Sequence, residues 1–411
     1  MTDHLSDRGR QLVASPPFPP YLQEHFRRVG AREAVGSDYV GLCVAENKLV
    51  HDLLDAKITQ CRTPPGAALG YGPWLGSPEV RRTIAQFLGR TVLGRPIDER
   101  HVAVLAGAGA VLETVFYCVA DPGDGVLIPT PSYAGFWADL GTRDGLRILP
   151  VDGHRDDGFD ISIEQYQRAY EAAPCNVRAM LITSPSNPLG AVYERDRLAE
   201  ILDWADERGL HVVLDELYAL STYGDDPFVS GATLRERLGE TTHVVWAFSK
   251  DFAMSGLRCG VLVSENEALL DAVDGLAYWS SCSRDTQTLL AALVSDDVWV
   301  DSFVTENQRR LRAAHDSTTS ALADASIPFV PAAAGFFLLC DLRDHMQGAS
   351  WDAERDLWRH LLDRTNVNLT PGEACRVNEP GFFRVCFAAE PTAAVVAGIG
   401  RIADHLRIGI G

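Results

Sequence analysis

Between about Val80 and Leu290, short apolar runs alternate with stretches of helical periodicity. The runs are HVAVLA, DGVLIPT, RAMLITS, LHVVLDEL, THVVWAFS and RCGVLVS, none with the in–out alternation of a half-solvated strand. Between them RDRLAEILDWADERG repeats Leu198, Ile201, Leu202 and Ala205 at helical spacing. Unalternated strands separated by amphipathic helices predict an α/β fold with a mostly parallel central sheet covered by helices on both faces. After about Val300 the pattern changes to a long charged helix around TENQRRLRAAHD, followed by strands in AAGFFLLCDLR and FFRVCFA. This part reads as a smaller α+β domain completed by the N-terminal segment. The expected organisation is therefore 1–75 as an N-terminal arm and part of the small domain, 76–295 as the large domain, and 296–411 as the C-terminal small domain. The start, through Pro16, Pro17, Pro19 and Pro20, reads as an extended arm.

Composition narrows the function. Of 411 residues, 46% are apolar and 23% charged, as in ordinary globular proteins. Lys plus Arg number 37 against 56 Asp plus Glu, a formal charge of −19, which speaks against a nucleic-acid or anionic-membrane surface. Nine scattered cysteines without a C-x-x-C pair read as reduced core thiols, not as a disulfide framework or a metal site. MTDHLSDRGRQ lacks the apolar run of a signal peptide, and no stretch reaches the roughly 20 apolar residues of a membrane span. The expected location is cytoplasmic.

In such sheets ligands sit at the carboxyl ends of the strands, and there the polar residues gather. THVVWAFS runs into Lys250, where withdrawal from water would lower the amine's pKa and free an imine-forming nucleophile. Eight positions on, Gly256-Leu257-Arg258-Cys259-Gly260 places an arginine, suited to a bidentate grip on phosphate, between glycines. LHVVLD ends on Asp215, a carboxylate able to keep a pyridine nitrogen protonated, and Tyr218 follows three residues later, in reach of a ring oxygen. Asn187, in the turn SPSNPLG, presents an amide to the same oxygen. Gly107-Ala108-Gly109-Ala110 opens a helix whose free N–H groups suit a phosphate. Each motif alone also has an ordinary structural explanation, such as a strand-end lysine, a capping aspartate or turn chemistry. Their order along the chain points to pyridoxal 5′-phosphate (PLP), carried as a Schiff base on Lys250.

With those motifs in place, the chain resembles the fold-type I PLP-dependent transferases, and within them the aminotransferase branch that contains 1-aminocyclopropane-1-carboxylate (ACC) synthase. The resemblance covers nearly the whole chain from about Val40. VAENKL, ADPGDGVLIPTPSYAGFWADL, SPSNPLG, LDELY, SKDFAMSGLRCG, AGFFLLCDLR and EPGFFRVCFA carry it, and AENKL, IPTPSYAGF and EPGFFRVCFA favour the synthase. It implies a homodimer with shared active sites. It implies that Tyr133 stacks on the pyridine ring and that Ser249 joins Gly107, Ala108 and Gly109 around the cofactor. Arg384 would clamp the substrate carboxylate. Glu46, beside Ala45, would meet the substrate's amino or sulfonium charge. Either Tyr71 or Trp74 would reach across to the other subunit's cofactor. Two positions depart from the family: Ala247 replaces a hydroxyl residue three before the lysine, and Gly109 stands where threonine is common.

The resemblance implies a lyase acting on S-adenosylmethionine. Lys250 would remove the Cα proton, Asp215 would stabilise the charged ring, and methylthioadenosine would leave from Cγ, with closure to ACC. Alternatively, a vinylglycine-type species would be trapped by a second substrate in a specialised biosynthetic pathway. The same residues would also serve an aminotransferase that needs a keto acid. A ligand-sensing regulatory domain of this fold is disfavoured, because such proteins join it to a basic DNA-binding module and the short acidic N-terminus offers none.

Overall fold

The computed structural model describes residues 4–35, 38–63, 66–225 and 227–408. Among them, seven strands form one sheet: β1 (Val102–Leu105), β2 (Gly125–Thr130), β3 (Arg147–Asp152), β4 (Val177–Thr183), β5 (His211–Asp215), β6 (Thr242–Ala247) and β7 (Gly260–Ser264). Their order is β1-β7-β6-β5-β4-β2-β3. All run parallel except β7, which is antiparallel to both its neighbours.

The apolar runs do not alternate in character because both sheet faces are covered. Ala103, Leu105, Val126, Ile128, Leu181, Val213 and Val245 face one core; Val102, Val104, Leu127, Met180, Leu214, Val244 and Trp246 face the other. A parallel sheet buried on both sides needs apolar residues at every position. β3 was not foreseen from the sequence. It is one of the two edge strands, its burial is confined to Val151, and Pro150 interrupts its run, as edges tolerate.

A second sheet is antiparallel and three-stranded. It pairs Thr370–Pro371 with Phe382–Cys386, and the latter with Phe337–Asp341. Val40–Gly41 pairs parallel with Val367–Asn368 and ties the N-terminal segment to this region. A 28-residue helix, Asp297–Asp324, joins the two regions: Phe303 packs in one core and Leu311, Ala314 and Leu322 in the other. No described helix is long and apolar enough to cross a membrane.

The expected extended arm is instead two helices, Asp7–Ala14 and Pro20–Val35. Ser6 caps the first by accepting from the Gly9 N–H, and Pro20 opens the second, where its missing N–H costs nothing. The prolines between them mark the break, not the conformation of the whole segment.

Phe252 binds this architecture together. It is fully buried, lies parallel to Phe303 at 5.1 Å, and meets the edges of Phe87 and Trp246 at 5.6 and 6.1 Å. Phe252→Ala is expected to cost about 3–5 kcal/mol, read as a lower urea midpoint at unchanged slope. A midpoint close to wild type would show that the long helix is anchored elsewhere.

Candidate active site

β6 ends at Ala247, and one helical turn, Phe248–Asp251, follows. The turn is pinned from below. The buried Asp251 carboxylate accepts from Trp246 Nε1 at 2.9 Å, Ser221 Oγ at 2.7 Å and the Leu220 N–H at 3.1 Å. Lys250, one residue earlier, points the other way and donates from Nζ to the Ala45 carbonyl at 2.6 Å. Burial, joined by the charge of Arg384, brings its ammonium down to about 8. About a tenth is then a neutral, nucleophilic amine at pH 7, far more than for an ordinary lysine.

Asp215, at the end of β5, is buried and accepts from Thr183 Oγ1 at 3.5 Å and the Leu217 N–H at 3.3 Å. Burial pushes its carboxyl up to about 7, so a cationic partner would restore its ionised form. Tyr218 is held edge-on by Phe336 and Phe337, both at 5.3 Å, and its hydroxyl accepts from Asn187 Nδ2 at 3.3 Å. The Asn187 side-chain oxygen Oδ1 accepts from Arg384 Nη1 at 3.0 Å, and Arg384 Nη2 donates to the Cys43 backbone carbonyl at 2.6 Å and to Thr370 Oγ1 at 3.2 Å. Arg384 is thus a buried cation fixed from three chain segments, while its Nε has no hydrogen-bond partner among the described residues.

Gly107 precedes the helix Ala108–Val119 with φ +95. A β-carbon there would lie 2.5 Å from Arg258 Nη2, so only glycine lets the guanidinium reach the helix N-terminus. Gly260 is constrained likewise, since its β-carbon would fall 2.5 Å from the Gly107 carbonyl carbon. Arg258 itself adopts φ +50, and its Nη1 donates to the Ser255 carbonyl at 3.1 Å.

A cavity of about 230 Å³ has Ala108, Gly109, Tyr133, Asn187, Asp215, Tyr218, Ser249, Lys250 and Arg258 among its walls. Arg384 and Ala45 are not among them, but each is hydrogen-bonded to a wall residue, Arg384 to Asn187 and Ala45 to Lys250. Ala247 is not among its walls; it is fully buried in the sheet core. Glu46 lies close by. It accepts from Ser255 Oγ at 2.6 Å and pairs with Lys48 at 3.4 Å. Burial opposes its ionisation, but the Ser255 hydroxyl and the charges of Lys48 and Lys250 hold its carboxyl below the usual range. Tyr71 and Trp74 are not brought to this cavity. They contact each other at 5.7 Å, and Tyr71 is 93% exposed. Motif reading overlooked Thr183, Thr370, Ser255 and Asp139. Thr183 closes the run LIT and was discoverable as a polar strand end. Asp139 and Ser255 lie inside motifs that carry the resemblance but suggest no role there, and Thr370 lies in none.

The cavity matches an anionic, ring-bearing cofactor. The N–H groups opening the helix and Arg258 suit its phosphate, Asp215 suits a protonated ring nitrogen, Tyr133 adds an aromatic ring to the wall, and Lys250 supplies the attaching amine. The model for aminotransferase class I and II matches residues 37–402. The chain belongs to that family. Its cofactor is PLP, and Lys250, Asp215, Tyr218, Asn187 and Arg258 are the residues that would hold it.

Relatives sharpen the comparison. The chain is 37% identical over 321 residues to 1-aminocyclopropane-1-carboxylate synthase 6 of Arabidopsis thaliana, covering 76% of this chain and 65% of that one. It is 34% identical over 383 residues to 1-aminocyclopropane-1-carboxylate synthase of Glycine max, covering 88% and 79%. Among solved structures, Thermus thermophilus aspartate aminotransferase with maleate superposes with a TM-score of 0.81 at 23% identity, covering 97% of this chain and 99% of that one. The aromatic aminotransferase of Pyrococcus horikoshii gives 0.80 at 23%, covering 92% and 98%. These superpositions establish the fold: fold-type I, with a mostly parallel sheet between helices.

Lys250→Ala is expected to abolish the borohydride-reducible bond to the cofactor, detected by mass analysis of the peptide that carries it. A reducible bond persisting on another lysine would overturn the assignment. In wild-type apo-protein the rate of cofactor capture should rise with pH through about 8, because the neutral amine attacks. A flat profile from pH 6 to 9 would show that the amine does not control capture.

Proposed function

We propose that the protein is a PLP-dependent carbon–sulfur lyase that acts on S-adenosylmethionine and releases methylthioadenosine. The observation that carries this reading is that a buried, three-way-held Arg384 and a Glu46 held below the usual carboxyl range both act on the charge of Lys250. The first suits a substrate carboxylate, and the second lies beside the reactive amine, where a positive sulfonium would be favoured. Identities of 33–37% to 1-aminocyclopropane-1-carboxylate synthases support it.

Bound PLP supplies an electron sink for charge developing at the substrate Cα. The chain's own residues do the rest. Arg384 orients the substrate through its carboxylate. Lys250, neutral once the substrate amine has displaced it, takes the Cα proton onto Nζ, and the Ala45 carbonyl stands where the resulting N–H can donate. Asp215 keeps the ring nitrogen protonated, and Asn187 and Tyr218 position the ring oxygen. Glu46 holds the sulfonium end. The Cγ–S bond breaks with its electron pair leaving on sulfur, so the cation departs as a neutral thioether. The pair at Cα attacks Cγ as sulfur leaves, forming the Cα–Cγ bond of ACC; alternatively, loss of a Cβ proton supplies the pair that expels sulfur, and a second substrate captures the four-carbon fragment.

We also read the protein as a homodimer. Leu69, Tyr71, Tyr278 and Trp279 are exposed, and Trp74 bridges this group by contacts with Tyr71 and Tyr278 at 5.7 and 5.4 Å. An aromatic strip of this kind suits a subunit interface from which Tyr71 would approach the other copy's site.

Incubation with S-adenosylmethionine and no keto acid should release methylthioadenosine, and Glu46→Ala should abolish that release while cofactor remains bound. If methylthioadenosine never forms but a keto acid turns over an amino donor, the enzyme is an aminotransferase. Arg384→Lys keeps the charge but loses the planar fork, so kcat/KM is expected to fall by about 2–4 kcal/mol of transition-state binding. An unchanged kcat/KM would make Arg384 structural.

A further inference from the structure

Asp139 stands in the cofactor cavity without a role in the chemistry described above. Tyr133, Phe136 and Asp139 recur every third residue through the loop and the short helix Phe136–Gly141, and all three line the cavity. Tyr133 meets Phe136 edge-on at 5.2 Å, and the Asp139 N–H donates to the Gly135 carbonyl at 2.9 Å, so the residue's position is set by the turn. Its carboxylate differs from the others nearby. Asp251 accepts three hydrogen bonds and Asp215 two. Among the described residues, no N–H or O–H donates to the Asp139 carboxylate, and no arginine or lysine forms an ion pair with it.

A partly buried carboxylate with no partner is disfavoured. Burial pushes its carboxyl up to about 6. The cations that line the same cavity are engaged elsewhere, Lys250 on the Ala45 carbonyl and Arg258 on the Ser255 carbonyl. Asp215 lines the same cavity, and the Asp139 charge adds a small upward push to a carboxyl that burial already raises. Two carboxyl groups of like charge in one cavity make a place for a cation delivered by the ligand. The charge a PLP molecule brings to the Asp215 end is its protonated ring nitrogen, since the phosphate belongs with Gly109 and Arg258.

We propose that Asp139 is a positioning residue for the cofactor ring: a second carboxylate that adds to the negative potential of Asp215 and favours the protonated ring nitrogen. It acts through the field and not by direct contact, because an effective protein dielectric of about 20 still lets charges interact over several ångströms. The inference concerns the cofactor alone, and holds whether the enzyme cleaves a sulfonium or transaminates.

The test compares two ligands on the same protein. Apo-protein prepared from the holoenzyme is titrated by absorbance with PLP and with its 1-deaza analogue, in which carbon replaces the ring nitrogen. Asp139→Asn should weaken PLP by about three- to tenfold, equivalent to half to one pKa unit of charge coupling, and leave the analogue's affinity unchanged. Asp139→Glu should retain PLP binding. An equal loss for both ligands would mean that the residue only shapes the wall. No change for either would mean that its charge does not reach the ring, and each result overturns the proposal. Because the readout is a ratio on one sample, any loss of folded protein cancels.

Discussion

One buried guanidinium holds the active-site segments in register. Arg384 sits on a strand of the small sheet, yet its donors end on the Cys43 carbonyl, the Thr370 hydroxyl and the Asn187 amide oxygen. Burying an unpaired charge costs several kcal/mol, so the cation is tolerable only where those acceptors converge. Through Asn187 the constraint passes to Tyr218, which joins the end of β5 to the second sheet. The same charge helps to lower the Lys250 pKa. A single cation therefore both fixes the geometry of the cavity and contributes to the reactivity of its amine.

The large sheet explains why the polar residues lie where they do. With both faces covered, its strand interiors are mostly apolar, the buried His243 being held by Ser264 and His211, and the candidate chemistry gathers at the carboxyl ends. Gly107, Thr183, Asp215 and Lys250 follow or close β1, β4, β5 and β6 in turn. The turn carrying Lys250 would otherwise be free to move. Asp251, held by Trp246, Ser221 and Leu220, fixes it from the core side, so the lysine is aimed by its neighbour's buried hydrogen bonds.

Close spacing governed what could be read in advance. Lys250 and Arg258 lie eight residues apart, and Asp215 and Tyr218 three apart, each set beside a strand that hydrophobic pattern alone reveals. Strands with two buried faces were legible as unbroken apolar runs, whereas β3, a half-exposed edge, was not. The N-terminal prolines suggested extension because they break helices, but Ser6 and Pro20 are also good helix openers and the chain uses them so. Asp139 lies inside a motif that carries the resemblance but suggested no role of its own, since an aspartate in a short helix is commonplace until it is seen lining the cavity.

The sequence by itself determined the class of sheet, the strand ends that carry polar groups, and the local pairs that suit PLP, because these depend on periodicity and near-neighbour spacing. Only the tertiary structure decided that the Ala45 carbonyl meets Lys250 across 205 residues, that Ser255 meets Glu46 across 209, and that Asn187 meets Arg384 across 197. No local preference encodes such contacts. They form when burial of the two sheets and the long helix offsets the entropy of closing those loops, and the site exists only as a consequence of that closure.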